Sequence, residues 1–157
     1  MQQLAVEKRT VPVRIRFEDG QELKGDLFLS QTAKRRAGKE TVLDYMNESD
    51  EFFPLKVADD KSVRMINKRR VIEVGVTAAI EFEDEETTKA GAKQERMTVV
   101  FKTSHRLSGT GYIEMPPQKS RIIDFLNQGS QFFLMKDGDT AHVCNRKQIS
   151  YVIPGGN

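Results

Sequence analysis

Two basic clusters stand out in the 157-residue chain: Lys34-Arg35-Arg36, with Lys39 close behind, and Lys68-Arg69-Arg70. Such clusters suit phosphate groups, which are held by charge without any reading of sequence, and they suit acidic protein surfaces as well. The formal net charge of +2 is small beside the balance of a dedicated nucleic-acid binder. His105 and His142 are the only histidines and Cys144 the only cysteine. His142 and Cys144 fall on one face of a strand, as two metal ligands can, but a closed zinc site takes four ligands. No Ser-His-Asp or Cys-His constellation can be inferred from the places of these residues in the sequence. Asp44 and Asp124 recur at matching places, as paired acid-base carboxylates do, and a cap or turn used twice gives the same recurrence. Gly109-Thr110-Gly111 has no helix after it and so fails as a phosphate cradle. The expectation is a protein without catalytic residues, metal or cofactor, and with no evident small-molecule substrate.

The elements that position these residues repeat. Val13 to Leu29, Val42 to Leu55 and Ser62 to Val74 are followed, in the same order, by Thr98 to Ile113, Arg121 to Met135 and Ala141 to Ile153. Phe17, Leu23 and Gly25 match Phe101, Leu107 and Gly109. Asp44, Asn47, Phe52 and Phe53 match Asp124, Asn127, Phe132 and Phe133, and Asn67, Val71 and Val74 match Asn145, Ile149 and Val152. The chain therefore reads as two copies of one small unit, residues 1–76 and 97–157, joined by an acidic linker or hairpin extension over 77–96. Units this small lean on a neighbour.

Inside each copy the period is two. Val11, Val13, Ile15 and Phe17 alternate with Arg14, Arg16 and Glu18, which predicts a half-buried strand. Asp19-Gly20 then predicts a hairpin turn, and Leu23 to Leu29 the returning strand. The second copy makes the same turn with Thr103-Ser104-His105-Arg106. Asp44 to Asn47 and Asp124 to Asn127 predict one helical turn each, with Asp as cap and Asn able to adopt a left-handed conformation. Adjacent strand residues face opposite ways, so Phe52-Phe53 and Phe132-Phe133 each direct one ring to either face. Where one ring of each pair is exposed, together they form an apolar patch fit for an interface. Asn67 to Arg70 is the tight link between the last two strands. The fold class is all-β: two tandem small antiparallel β-barrels, each of about five strands and one short helical turn.

The alternating run Val13 to Leu29, with Asp19-Gly20 and then Gly25, resembles the first motif of the Sm-like fold, and Val63 to Val74 sits where the second motif belongs. Small SH3-like barrels share this layout. Arg121, Asp124, Asn127 and Asn145, with the Phe-rich strand between them, are also similar to the pattern of an uncharacterised bacterial domain family. The Sm resemblance implies rings and RNA binding. However, Ser30-Gln31 stands where that family has its base-stacking aromatic-acid pair, and Asn67-Lys68 and Asn145-Arg146 stand where it has Arg-Gly. The Arg-x-x-x-Arg and Asp/Asn-x-Ser-x-x-Gly patterns of PilZ cyclic-dinucleotide binders do not occur.

Charge is unevenly spread: 15 basic and 13 acidic residues in 1–76, 3 and 6 in 77–96, 7 and 4 in 97–157. No apolar run approaches the roughly 18 residues of a membrane span, the first ten residues are polar, and one cysteine makes no internal disulfide, so the expected location is cytoplasmic. The functional expectation is a non-catalytic interaction or scaffold module that presents basic loops and sheet edges to a protein partner or to another copy of itself. Lys34, Arg35, Arg36, Lys68, Arg69 and Arg70 are its candidate contact residues. Binding of nucleic-acid phosphates by the same residues, aided by Arg14 and Arg16, is the alternative.

Overall fold

A computed structural model describes residues 8–34, 37–83, 92–113 and 121–155. The alternating segments form ten antiparallel strands: β1 Lys8–Phe17, β2 Glu22–Ser30, β3 Phe52–Val57, β4 Val63–Asn67, β5 Val71–Thr77, β6 Lys93–Phe101, β7 Arg106–Ile113, β8 Phe132–Asp137, β9 Thr140–Asn145 and β10 Ile149–Pro154. Among the described residues three short α-helices, α1 Val42–Met46, α2 Ala78–Glu81 and α3 Ile122–Gln128, interrupt them. All ten strands belong to one sheet in the order β10-β6-β7-β8-β9-β5-β1-β2-β3-β4.

The first five strands and the second five follow the same order, and their registers agree residue for residue. Val13 pairs with Gly25 as Met97 pairs with Gly109, and Phe53 with Ile66 as Phe133 with Cys144. Even the irregularity where β5 meets β1, between Arg16 and Phe17, recurs where β10 meets β6. The expected pair of closed barrels is not what these pairings make. The outer edge of β9 is bonded to β5, Glu73 to Thr77 lying opposite Cys144 to Thr140, so the halves merge into one sheet that is not closed into a barrel.

The core is shared accordingly. One cluster joins Val11, Ile15, Leu27, Leu55 and Val74 to Phe132, Leu134, Ala141 and Val143, and a second joins Ile72 of β5 to Phe101, Phe125, Phe133 and Cys144. This sharing decides the phenylalanine pairs. Phe53 is buried and Phe52 exposed, whereas Phe132 and Phe133 are both buried because β8 is covered on both faces, one ring in each cluster.

Local chemistry accounts for the turns. Gly20 takes the left-handed conformation after Asp19, at φ 89°, and donates its N–H to the Phe17 carbonyl at 3.0 Å. Ser104 does the same at φ 72°, donating to the Phe101 carbonyl at 2.8 Å. A residue with a Cβ is strained there, so Ser104→Gly is expected to raise stability by about 0.5–1 kcal/mol, the strain relieved less glycine's greater freedom when unfolded. A urea titration that places S104G at or below the native midpoint would contradict this.

The helices depart from expectation in detail. Thr41, not Asp44, is the N-cap of α1, and Asp44 completes a capping box from the third position. Asn47 is not left-handed. It sits at φ −89°, and its side chain brackets the backbone of Phe132 in the other half, accepting from the N–H at 2.9 Å and donating to the carbonyl at 3.1 Å. Asn127 lies inside α3, and Asp124 pairs with Arg121. The connector is partly regular structure: Thr77 ends β5, α2 follows, and β6 starts at Lys93. Glu81 of α2, drawn from the acidic run, is buried and accepts from the backbone N–H groups of Val42 and Leu43 at 2.8 and 2.9 Å. It thereby satisfies donors at the helix start that have no partner inside the helix.

Candidate functional site

The basic residues come first because the sequence singled them out. Arg35 and Arg36 lie outside the described residues. Lys34 reaches Glu48 at 4.0 Å, and Lys68 turns inward, its ammonium donating to the Glu48 carbonyl at 2.8 Å. Burial lowers the pKa of Lys68, and the charges of Asp50 and Glu48 offset only part of that. Arg69 faces Glu51 at 3.6 Å, and Arg70 pairs closely with Glu18 on another side of the turn. Lys34 and Lys68 are thus brought together around Glu48, while Arg69 and Arg70 diverge.

Each of these described cations has an acidic neighbour. The groove beside Lys68 and Arg69, of about 330 Å³, is lined by Glu48, Asp50, Glu51 and Lys147 as well. In the adjoining groove burial, followed by the charges of Glu40 and Asp50, pushes the Tyr45 phenol up to about 12. Among the described residues the charge around these turns is therefore mixed, without one dominant sign. Arg14 and Arg16 are likewise engaged, both bonded to Glu73 at 3.3 and 3.1 Å.

The backbone of the basic turn is structural. Asn67 accepts from the Arg69 N–H and caps the 3-10 turn Lys68–Arg70, as Asn145 accepts from Lys147 and caps Arg146–Gln148. The buried Asn145 also spans the halves, its amide donating to the carbonyls of Val71 at 2.9 Å and Lys68 at 3.3 Å. Gln148 donates to the Arg69 carbonyl at 2.6 Å and to Glu18 at 2.9 Å.

At the seam between β5 and β9 lies a buried charge cluster. Glu73 is fully buried, and its second carboxylate oxygen lies 2.9 Å from His142 Nδ1. Burial is the largest influence on Glu73 and acts upward, but the His142 hydrogen bond and charge and the two arginines outweigh it and hold the carboxyl below its ordinary value. His142 is thus committed to Glu73, and Cys144 is packed in the second core cluster, where burial raises its thiol pKa well above normal. Among the described residues no group of three His, Cys, Asp or Glu is placed to hold a metal ion, and no helix is long and apolar enough to cross a membrane.

The feature that sequence reasoning did not localise is the pair of sheet ends. Large apolar side chains are exposed at Phe52, Val63, Met65, Ile123 and Tyr151. Three lie on the end strands themselves, Val63 and Met65 on β4 and Tyr151 on β10, and Phe52 is on β3 beside β4. Among the described residues each end presents a strand edge with no further strand on it and apolar side chains beside it, which is the template for a further strand. The signal was present in the repeat alignment: Met65 and Val63 match Val143 and Ala141, which are completely buried at the seam. Compared with models of protein families, with curated proteins and with solved structures, the chain matches none.

Proposed function

We propose that the protein is a non-catalytic interaction module, built from two copies of a small Sm-like or SH3-like unit, that binds a polypeptide by adding a strand at its sheet ends. The observation that carries this reading is the exposure of Val63, Met65 and Tyr151 on the two terminal strands. Strand addition takes affinity from main-chain hydrogen bonds and specificity from alternate side chains, and both are on offer there. The basic turn after β4 contributes polar contacts at the rim, where Arg69 and Arg70 stay largely exposed beside their carboxylate partners. The reading favours a protein partner over nucleic acid because Lys34, Arg69 and Arg70 already face carboxylates and Lys68 is turned inward to a backbone carbonyl.

The test places a photoreactive phenylalanine analogue at Tyr151, at Met65 and, as a control, at exposed Lys102 in the β6–β7 turn. Irradiation in cells is expected to attach a polypeptide at the two edge positions and not at the control. No adduct at either edge would contradict the reading. A labelled single-stranded RNA and a DNA duplex, titrated from 50 mM to 500 mM salt, are expected to show no binding that collapses with salt. A steep salt-dependent affinity, lost in K68A/R69A/R70A, would instead establish phosphate-backbone binding.

A further inference from the structure

We propose that the strand added at these ends belongs to a second copy of the chain: β4 of one molecule docks on β10 of the next, in the register that β9 takes on β5. This rests on the reading that the edges accept a strand, and it names the partner.

The molecule already contains the joint in question. Within it, β9 lies on β5 with Val143 opposite Val74, His142 opposite Gly75 and Cys144 opposite Glu73. By the matched registers β4 is the counterpart of β9 and β10 the counterpart of β5. The two strands that make the internal joint therefore have twins at the two open ends. Carried over, the register sets Met65 opposite Val152, Arg64 opposite Ile153 and Ile66 opposite Tyr151. Side chains at the internal joint show what this contact does: Val143, Ala141 and Glu73 are completely buried, whereas their counterparts Met65, Val63 and Tyr151 are 68%, 52% and 52% exposed. These are the positions the joint covers.

The backbone is set for it. The Lys68 N–H donates to Glu51 on the β3 side, so the alternate residues Val63, Met65 and Asn67 turn their backbone groups outward. Gly155 donates to Arg96 on the β6 side, so Val152 and Pro154 face outward at the other end. Val152 and Met65 then exchange two hydrogen bonds, as their twins do. Pro154 has no N–H to give, so the joint between chains makes one bond fewer than the internal one and is the weaker of the two.

Side-chain chemistry fits as well. The internal joint is held by the diagonal contact of Glu73 with His142. At the open ends Tyr151 stands in place of Glu73 and Arg64 in place of His142, a ring and a guanidinium that attract by a cation-π contact. Asn145 donates across the internal joint to Lys68 and Val71, while the amide nitrogen of its twin Asn67 makes no such bond among the described residues and lies beside the open edge. Because β4 and β10 are different surfaces, the contact is head-to-tail, and each added copy leaves the same two edges for the next until the assembly closes.

The test uses Arg64→Cys with Ile153→Cys in the full chain. The pair lies at a non-hydrogen-bonded position, where Cα atoms approach to about 4.5 Å, within disulfide range, and native Cys144 is buried and out of reach. Mild oxidation is expected to give covalent multimers of the chain in high yield, whereas R64C/V152C, one residue out of register and so on opposite faces, gives at least tenfold less. Met65→Lys, an exposed change that leaves the thermal midpoint in place, is expected to convert the native assembly to monomer. Equal yields for the two cysteine pairs, or a monomer for the native chain at 100 µM, would overturn the proposal. If the photoreactive edge residues capture a different protein and never this chain, the self-association falls while the edge reading stands. If they capture nothing, both fall.

Discussion

Glu73→Ala is expected to cost about 3 kcal/mol of stability, the low end of the range for breaking a buried charge pair. The carboxylate is fully buried and binds Arg14, Arg16 and His142 at once. Its loss strands His142 in the seam, while the two guanidinium groups, roughly a quarter exposed, recover part of their hydration. For a chain of this size the thermal midpoint should fall by roughly 6–12 °C. The same group sets an acid limit. Its pKa is lower in the folded protein than its ordinary value of 4.5, so its contribution is fully present above that value and is lost as pH falls through the folded pKa. Denaturant titrations between pH 7 and pH 3 should therefore show native stability dropping below about 4.5, and E73A dropping less. Parallel curves would contradict the assignment of Glu73 as the charged lock.

Asn145→Ala is expected to cost about 2–3 kcal/mol, and the matching change Asn67→Ala only about 1 kcal/mol in the isolated chain. Both asparagines cap a 3-10 turn. Only Asn145 is completely buried with an amide that bridges to the Val71 and Lys68 carbonyls, so its removal takes that donor from the Val71 carbonyl and leaves the Lys68 carbonyl with the Val71 N–H. The comparison isolates the seam from the cap, since local turn chemistry is common to both. Equal losses by chemical denaturation would show that the bridge across the halves carries no weight.

Much of the local structure is legible in the sequence because it rests on short-range rules. Alternation from Val11 to Phe17, the turn at Asp19-Gly20 and the link at Asn67 to Arg70 each follow from the conformational preferences of the residues themselves. The joining of the halves is not legible, because β5 could satisfy its outer edge within its own unit or across to β9, and the period of two is the same in either case. The burial of both Phe132 and Phe133 follows from that joint and from nothing local. The acidic surroundings of the basic turns are not legible for a related reason. Lys68 reads as one of three exposed cations, but its neighbours in space, Glu48 and Asp50, come from the loop after α1, and Arg70 meets Glu18 from the first hairpin. Charge runs reveal composition, while the field at a site depends on which acids the fold brings beside them. The open edges were legible only by comparing the copies, since Val63 and Met65 stand where the other copy keeps Ala141 and Val143.

The measurement that bears most directly on self-association through the sheet ends is the absolute mass of the purified full chain by light scattering, in low and in high salt, with the ultraviolet absorbance ratio recorded. The account predicts an assembly of two or more chains that persists at high salt and carries no nucleic acid, because apolar side chains and backbone hydrogen bonds hold it. A chain that is monomeric in both salts, or one that releases nucleic acid when salt is raised, would contradict it.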